Sequence, residues 1–390
     1  MSGSTRSYEI GRRLAAAGHQ VDIVTSWQEA TERRGWFTTE VEGMRVHWLP
    51  VRYSNHMGYG ARIAAFCRFA WAAARRAASL PADVVFATST PLTIALPAVY
   101  AARRQRVPMV FEVRDLWPEL PIAVGALKNP LLRAAARRLE RFAYANSSAV
   151  IALSPGMAEG VARAGFDAGR ITMVPNAADL AMFRRDEARG AQFRASLGLG
   201  ADQVLIAYVG TLGRINGVAY LARLAAACRE DARLSFLVVG DGLERLPVQA
   251  LARELGILDR NFHMLERVPK SDVPALLSAV DIATSLFLPI PEMQANSANK
   301  FFDALAAGCC VAINYGGWHA QLLREHGAGL RLADDPAAAA AQLSTLAADR
   351  NALRACGVNA RRLAEARFSR DDLAAQVGEV LLRTAAGRAA

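Results

Sequence analysis

Residues 1–27 read MSGSTRSYEIGRRLAAAGHQVDIVTSW, and the order of patterns in them decides the fold class. Thr5 to Ala17 reads as a helix, Gly18-His19 breaks it, and Val21-Asp22-Ile23-Val24 alternates as a strand does. Helix, glycine, strand is the second half of a βαβ unit. Such a unit needs a strand ahead of its helix, and the stretch raises the question of where that strand lies.

The same unit recurs along the chain. Strands are expected at Val21–Thr25, Met44–Trp48, Asp83–Ala87, Met109–Val113, Ala149–Leu153 and Ile171–Val174, with helices between most of them. A second series is expected at Gln203–Val209, Ser235–Val239, Phe262–Leu265, Ile282–Ser285, Val311–Ile313 and Gly329–Leu332. Alternating strand and helix predicts an α/β fold with parallel sheets covered on both faces. Two series of similar size in 390 residues predict two Rossmann-like domains. The first is expected over 1–185, the second over 186–367, and a carboxyl-terminal helix over 368–390 packing back on the first. Ligands of such sheets bind beyond the carboxyl ends of the strands, so the loops after strands, and a cleft between the domains, are where chemistry is expected.

Composition narrows the class. Hydrophobic residues make up 53% and charged ones 21%, as in an ordered globular protein. The chain does not open on a basic stretch with an apolar core, and its longest apolar run, Pro91 to Ala102, is too short to span a bilayer. A cytoplasmic protein is expected. No pair among Cys67, Cys228, Cys309, Cys310 and Cys356 has metal-ligand spacing; the adjacent Cys309 and Cys310 read as packed thiols in a reducing compartment, with a redox or metal pair as the alternative.

Charge is placed unevenly. Residues 1–185 hold 24 Lys and Arg against 14 Asp and Glu, and residues 186–390 hold 22 of each, so all the net charge of +10 sits in the first half. Nucleic acid, an anionic membrane and phosphorylated substrates all suit a basic half. No nucleic-acid-binding signature is present. The arginines of ARIAAFCRFAWAAARRAASL (61–80) and LLRAAARRLERFAYA (131–145) alternate with apolar residues at helical spacing, which fits a helix lying on a membrane; a helix with solvated arginines is the alternative.

Four loops after strands carry the candidate chemistry. FEVRDLWPELP (111–121) gathers Glu112, Arg114, Asp115 and Glu119 beside Trp117. YVGTLGRINGV (208–218) places Gly210, Gly213 and Gly217 between a strand and a helix, where the backbone can approach a phosphate and Arg214 can reach it. VVGDGLE (238–244) repeats the pattern with Gly240 and Gly242. NSANKFFDALAAGCCVAINYGG (296–317) is the most specific: Asn296, Ser297, Asn299 and Lys300 open a helix whose next turn carries Asp303. Lys300 and Asp303, three apart, share a helix face. A cation at a helix amino terminus is disfavoured unless an anion joins it, which makes Lys300 a candidate phosphate ligand and a surface Lys–Asp pair the alternative.

In sequence and order, GHQVDIVT, RDLWPE, ALSPGMAEGV, MVPNAADLAMF, YVGTLGRINGV, VVGDG and NKFFDALAAG resemble the family 4 retaining glycosyltransferases of GT-B fold, and within them the N-acetylfucosamine transferase-like enzymes of O-antigen and capsule synthesis. The resemblance implies two Rossmann-like domains facing across a cleft, the second binding a nucleotide sugar, with a UDP-linked donor expected, and the first binding the acceptor. It implies that Asp303 takes the ribose hydroxyls and that Asn296, Ala298, Asn299 and Lys300 lie by the donor diphosphate and sugar. Gly210, Gly213, Arg214 and Asn216 match the diphosphate loop, joined by Gly240, and the backbone at Glu266 and Arg267 lies where the base binds. Asp115, with Arg114 beside it, is the candidate that receives the acceptor proton, Lys300 being the catalytic cation. Ser4, Arg6, Glu112 and Trp117 are expected on the acceptor side.

Relatives begin with a strand and a glycine-containing loop before the helix that here opens at Thr5, so the resemblance implies that this strand lies upstream of Met1 and that a chain without it loses stability and activity. The chain departs from the family pattern at Ala295, where relatives have the first glutamate of a Glu-x7-Glu motif, and at Thr211 and Asn216, where many have Arg and Lys. Arg214 and Lys300 are expected to supply those charges, with no metal and no cofactor. The acceptor implied is a saccharide, free or on a polyprenyl diphosphate, and peripheral contact with the inner face of the membrane is expected through the basic half. A GT-B epimerase and a non-catalytic nucleotide-sugar-binding protein are the rival readings.

Overall fold

A computed structural model describes residues 6–29, 31–51, 59–89, 91–200 and 202–387. Its elements run α1 (Arg6–Ala16), β1 (Asp22–Trp27), β2 (Phe37–Val41), β3 (Met44–Pro50), α2 (Tyr59–Ala78), β4 (Val85–Ser89), α3 (Ala95–Gln105), β5 (Met109–Val113), α4 (Glu119–Ala123), α5 (Pro130–Ala145), β6 (Ala149–Ala152), α6 (Pro155–Arg163) and β7 (Ile171–Met173). They continue α7 (Glu187–Ser196), β8 (Val204–Val209), α8 (Ala219–Ala227), β9 (Leu234–Val239), α9 (Arg245–Glu254), β10 (Phe262–Leu265), α10 (Val273–Ala279), β11 (Ile282–Ser285), α11 (Asn299–Ala306), β12 (Cys310–Ile313), α12 (Trp318–His326), β13 (Gly329–Arg331), α13 (Pro336–Ala348), α14 (Arg350–Arg367) and α15 (Arg370–Ala386).

The chain forms two compact units: Ser4–Pro175 with Asp371–Ala390, and Asn176–Arg370. The junction lies ahead of the expected 185/186, because Asn176 already bonds within the second unit: its backbone N–H donates to Ser297 Oγ and its side-chain amide to the Ser297 carbonyl. Helix α15 belongs to the first unit, where the Asp371 carboxylate meets Arg13 of α1.

In the first unit the described strands form two sheets, β1-β3-β2 and β4-β5-β6-β7. The second is wholly parallel. Strand β2, absent from the sequence reading, pairs antiparallel with β3 through a two-residue hairpin whose Glu42 and Gly43 both have positive φ. That is the backbone a tight hairpin demands, but Glu-Gly is a weaker sequence signal than Asn-Gly. Helices α5 and α6 begin where the sequence places a cap followed by proline: Asn129 Oδ1 accepts from Leu131 and Leu132, and Ser154 Oγ from Met157.

The second unit is one parallel sheet of six strands, ordered β10-β9-β8-β11-β12-β13. The chain runs outward from β8 through β9 to β10, then returns to the other side of β8 and runs outward again. Between β8 and β11 the direction reverses, and a crevice opens at the carboxyl ends of those two strands. Its core is apolar on both faces, with Ile206, Phe236, Phe262 and Leu343 fully buried; each such side chain contributes about 2 kcal/mol.

The cysteine reading requires correction. Cys310 of β12 and Cys356 of α14 form a disulfide, while Cys228 and Cys309 are buried thiols and Cys67 is exposed. The two backbones come this close because Gly357 lies against Gly308, where a Cβ would stand 2.4 Å from the Gly308 carbonyl oxygen. Cysteine usage therefore gives no argument for a reducing compartment. No helix among the described residues is long and apolar enough to cross a membrane.

Candidate functional site

The crevice of the second unit is built from the loops after β8, β9 and β10 and the start of α11. The first two loops are zipped together by backbone: Gly210 N–H donates to the Val239 carbonyl at 3.0 Å and Leu212 N–H to the Asp241 carbonyl at 2.9 Å. Gly240, at φ 149°, must be glycine, because a Cβ there would stand 1.9 Å from the Gly210 carbonyl oxygen. Arg245 of α9 ties in the third loop, donating to the carbonyls of Gly240 and Leu265 at 3.0 and 2.8 Å. Asn216 turns into its own loop, its Oδ1 accepting from Gly213 N–H at 3.2 Å. The N–H groups of Gly210, Leu212 and Gly213 are therefore spent internally. The loop is rigid, but it does not turn every amide toward a ligand as its glycines suggest.

Over this loop lies Lys300. Its stem crosses Gly210, with Cε 3.6 Å from where a Cβ would be, and its Nζ donates to Tyr208 Oη at 2.8 Å. The ammonium stands 4.5 Å from the Tyr208 ring centre and 5.2 Å from that of Phe287. Tyr208 in turn donates to the Thr211 carbonyl at 2.7 Å. No carboxylate pairs with Lys300 among the described residues, and burial pushes its pKa down to about 7.

Asp303 does not pair with Lys300, although the two are three residues apart on α11. Its Oδ2 accepts from Lys270 Nζ, which also lies 4.7 Å from the Phe183 ring centre. Burial raises the Asp303 pKa against the opposing Lys270 charge. Its Oδ1 is buried with no hydrogen-bond partner among the described residues, an orphan of the kind that a ligand hydroxyl satisfies.

The remaining donor-side residues divide by role. Asn296 is a loop brace, accepting from Ala298 N–H and donating to the Met293 carbonyl. Ala298 is the N-cap of α11. Asn299 and Arg214 are exposed at the rim, as are Glu266 and Arg267 beyond β10. Tyr208 and Lys270 had not been singled out in the sequence. A hydroxyl two residues before a glycine loop was a signal for Tyr208; Lys270 meets its partner across 33 residues and gave none.

In the first unit, Asp115 and Arg114 follow β5. Asp115 is half-buried, and burial lifts its pKa to about 6 against the Arg114 charge. Glu112 and Arg6, expected on the acceptor side, instead face each other inside the unit. Glu112 is fully buried, accepting from Arg6 Nε at 2.7 Å and Thr88 Oγ1 at 2.8 Å. Arg6 also donates to the carbonyls of Pro175 and Val174. Both side chains are thus committed to binding α1 and the end of β7 to the sheet. Trp117 packs partly buried against the sheet's apolar cluster. Ser4 lies outside the described residues.

Residues 3–177 match the family model described as Glycosyl transferase 4-like domain, and residues 203–349 that described as Glycosyl transferases group 1. The 2-deoxystreptamine glucosyltransferase of Streptomyces kanamyceticus is 29% identical over 195 residues, 48% of this chain and 47% of that protein. The chain spans about half the length of the first curated relatives it matches. Among solved structures, the sucrose-phosphate synthase of Thermosynechococcus elongatus superposes with a TM-score of 0.80 at 19% identity, over 99% of this chain and 94% of that one. HepE of Anabaena, in complex with UDP, gives 0.70 at 16% identity over 94% and 100%. WaaG, a glycosyltransferase involved in lipopolysaccharide biosynthesis, gives 0.70 at 18% identity over 96% and 95%. The fold is GT-B.

Proposed function

For a chain built of a glycosyl transferase 4-like domain followed by a glycosyl transferases group 1 domain, we propose a retaining glycosyltransferase that moves a sugar from a nucleotide sugar to a saccharide or lipid-linked saccharide. One observation carries the reading: the Lys300 ammonium, without a counter-ion among the described residues, lies over a rigid glycine loop at the strand-order switch of a parallel sheet. An anion is the missing partner, and the donor's diphosphate is the anion proposed for it. Asp303, with its orphan oxygen one helical turn away, takes the ribose hydroxyls. Arg214 at the rim shares the diphosphate charge, and the base lies along Glu266 and Arg267.

In the reaction the bond from the anomeric carbon to the diphosphate breaks as a bond to the acceptor oxygen forms on the same face. Charge builds on the leaving diphosphate, which Lys300 and Arg214 offset. The acceptor proton passes to Asp115, which at a pKa of about 6 is largely ionised at neutral pH. The scheme proposed uses no metal and no further cofactor. The UDP complex of HepE supports a UDP-linked donor.

A surface-polysaccharide acceptor on a lipid carrier fits the first unit's exposed faces. Leu131 and Leu132 open α5 at 78% and 55% exposure beside Arg133, Arg137 and Arg138, and Trp71 stands 64% exposed on α2 with Arg75 over its ring. The naming of WaaG supports the same direction. The test is calorimetric titration of UDP, GDP, dTDP and ADP into wild type, Asp303→Ala and Lys300→Met. One nucleotide should saturate the wild type and bind both variants at least tenfold more weakly. Equal affinity in all three proteins would overturn the assignment.

A further inference from the structure

The amino-terminal ends of β5, β6 and β7 and the last turns of α15 line a cavity of about 700 Å³ within the first unit, broadly open to solvent. It takes no part in the proposed transfer. Asp115 follows the carboxyl end of β5, whereas this cavity is lined by Arg106, Val107 and Pro108, ahead of the amino end of the same strand. Its volume lies within the range of small-molecule sites.

The lining is one-sided in charge. Arg106, Arg170 and Arg383 face it with the hydroxyl residues Ser148 and Thr172, and no Asp or Glu among the described residues lines it. Arg106 and Arg383 form no ion pair among the described residues; Arg170 has Asp167 at 3.6 Å on the exposed side. Arg170 is also held in place: its guanidinium lies 4.6 Å from the Phe166 ring centre, and its Nη1 donates to the Ser148 carbonyl at 3.5 Å. The three guanidinium groups line one cavity, so an anion held there gains attraction from each of them.

The backbone at Arg106 points the same way. It caps α3 in the left-handed conformation, φ 56° and ψ 41°, a position that glycine or asparagine occupies with least strain. The chain instead carries there a long cation that reaches the cavity wall.

We propose that this cavity is a second anion site, binding a small phosphate-bearing ligand whose oxygens take the guanidinium groups of Arg106, Arg170 and Arg383. Guanidinium forks match phosphate oxygens in pairs, and the Ser148 and Thr172 hydroxyls lie within the same lining. A soluble phosphate ester and the headgroup of an anionic phospholipid offer the same chemistry.

The experiment uses the full chain at fixed ionic strength, with inorganic diphosphate as one probe and phosphatidylglycerol vesicles as the other. The proteins are wild type, Lys300→Met, Arg106→Gly, and the triple variant Arg106→Gln/Arg170→Gln/Arg383→Gln. A soluble ligand predicts two classes of diphosphate site in the wild type. The triple variant weakens one class at least about tenfold, and Lys300→Met leaves that class intact. A lipid ligand predicts instead that vesicle binding falls by about the same factor in the triple variant. Arg106→Gly, which suits the left-handed backbone, should melt no lower than the wild type and yet lose part of the same binding. Diphosphate and vesicle binding both unchanged in the triple variant, or in Arg106→Gly, overturn the proposal. The donor-site reading fails separately, by an unchanged second class in Lys300→Met.

Discussion

Lys300 gives the sharpest test because its charge is both costly and useful. Its pKa falls from 10.5 to about 7 in the folded protein, so between those values the unfolded chain binds more protons and stability rises with pH. Below pH 7 the folded state carries the whole penalty, roughly 5 kcal/mol at 1.36 kcal/mol per unit. Lys300→Met removes the charge and keeps the stem. It should therefore melt above the wild type at pH 6.5 without ligand, and the gap should close toward pH 10.

Ligand binding reverses the account. A nucleotide sugar carries a diphosphate that does not titrate near neutrality, and its charge holds the proton on Lys300. Affinity then follows the protonated fraction of the free protein: nearly constant below pH 7 and weakening about tenfold per unit above it. Between pH 6 and pH 8.5 the loss is about thirtyfold, or ~2 kcal/mol. Calorimetry in two buffers of different ionisation enthalpy should count close to one proton taken up per ligand at pH 8, and none in Lys300→Met. A wild-type dissociation constant that stays flat across this range, or an equal slope in the variant, refutes the reasoning.

Three further outcomes follow from the packing. Arg6→Met leaves the Glu112 carboxylate buried without its partner and should cost about 3–5 kcal/mol in urea denaturation; Arg6→Met/Glu112→Leu should recover much of it, and equal stability of wild type and single variant would refute the clamp. Gly240→Ala drives a Cβ to 1.9 Å from the Gly210 carbonyl oxygen and should destabilise by roughly 3–5 kcal/mol, with an unshifted melting temperature as the contrary result. Asp115→Asn should lower the transfer rate by about 10²–10⁴ and abolish the acid limb of the pH–rate profile. In the wild type that limb falls below about pH 6 as Asp115 takes up a proton. A variant that keeps both rate and limb would assign the proton elsewhere.

What could be read from the chain was what local rules control. The twelve expected strands lie at or within two residues of observed ones, because apolar runs bounded by glycine and proline leave few alternatives. Strand β2 escaped because its hairpin turns on Glu42-Gly43. The glycine loops were found, but their reason was not. Gly240 is fixed by the neighbouring loop's carbonyl and Asn216 by its own turn, and both are contacts that spacing cannot report. Glu112 sits in a polar cluster in sequence and in a buried ion pair in space, since its partner Arg6 is 106 residues away. Lys300 and Asp303 were placed on one face, yet each takes a partner from another element.

The choice of those partners makes the second unit's site responsive to an anion. Burial keeps Tyr208 neutral well above its ordinary range, so the hydroxyl that accepts from Lys300 offers a dipole and no charge. Its own proton goes to the Thr211 carbonyl, which aims an oxygen lone pair at the ammonium and fixes where that ammonium waits. Asp303 would be the natural counter-ion three residues on, but Lys270 engages it and so leaves Lys300 unneutralised. A carboxylate in direct contact would have restored an ordinary lysine pKa, and a diphosphate would then have had to displace it. With a neutral hydroxyl in that place, the free energy withheld from folding is returned when an anion arrives, and the glycine at 210 lets the lysine stem lie across the loop.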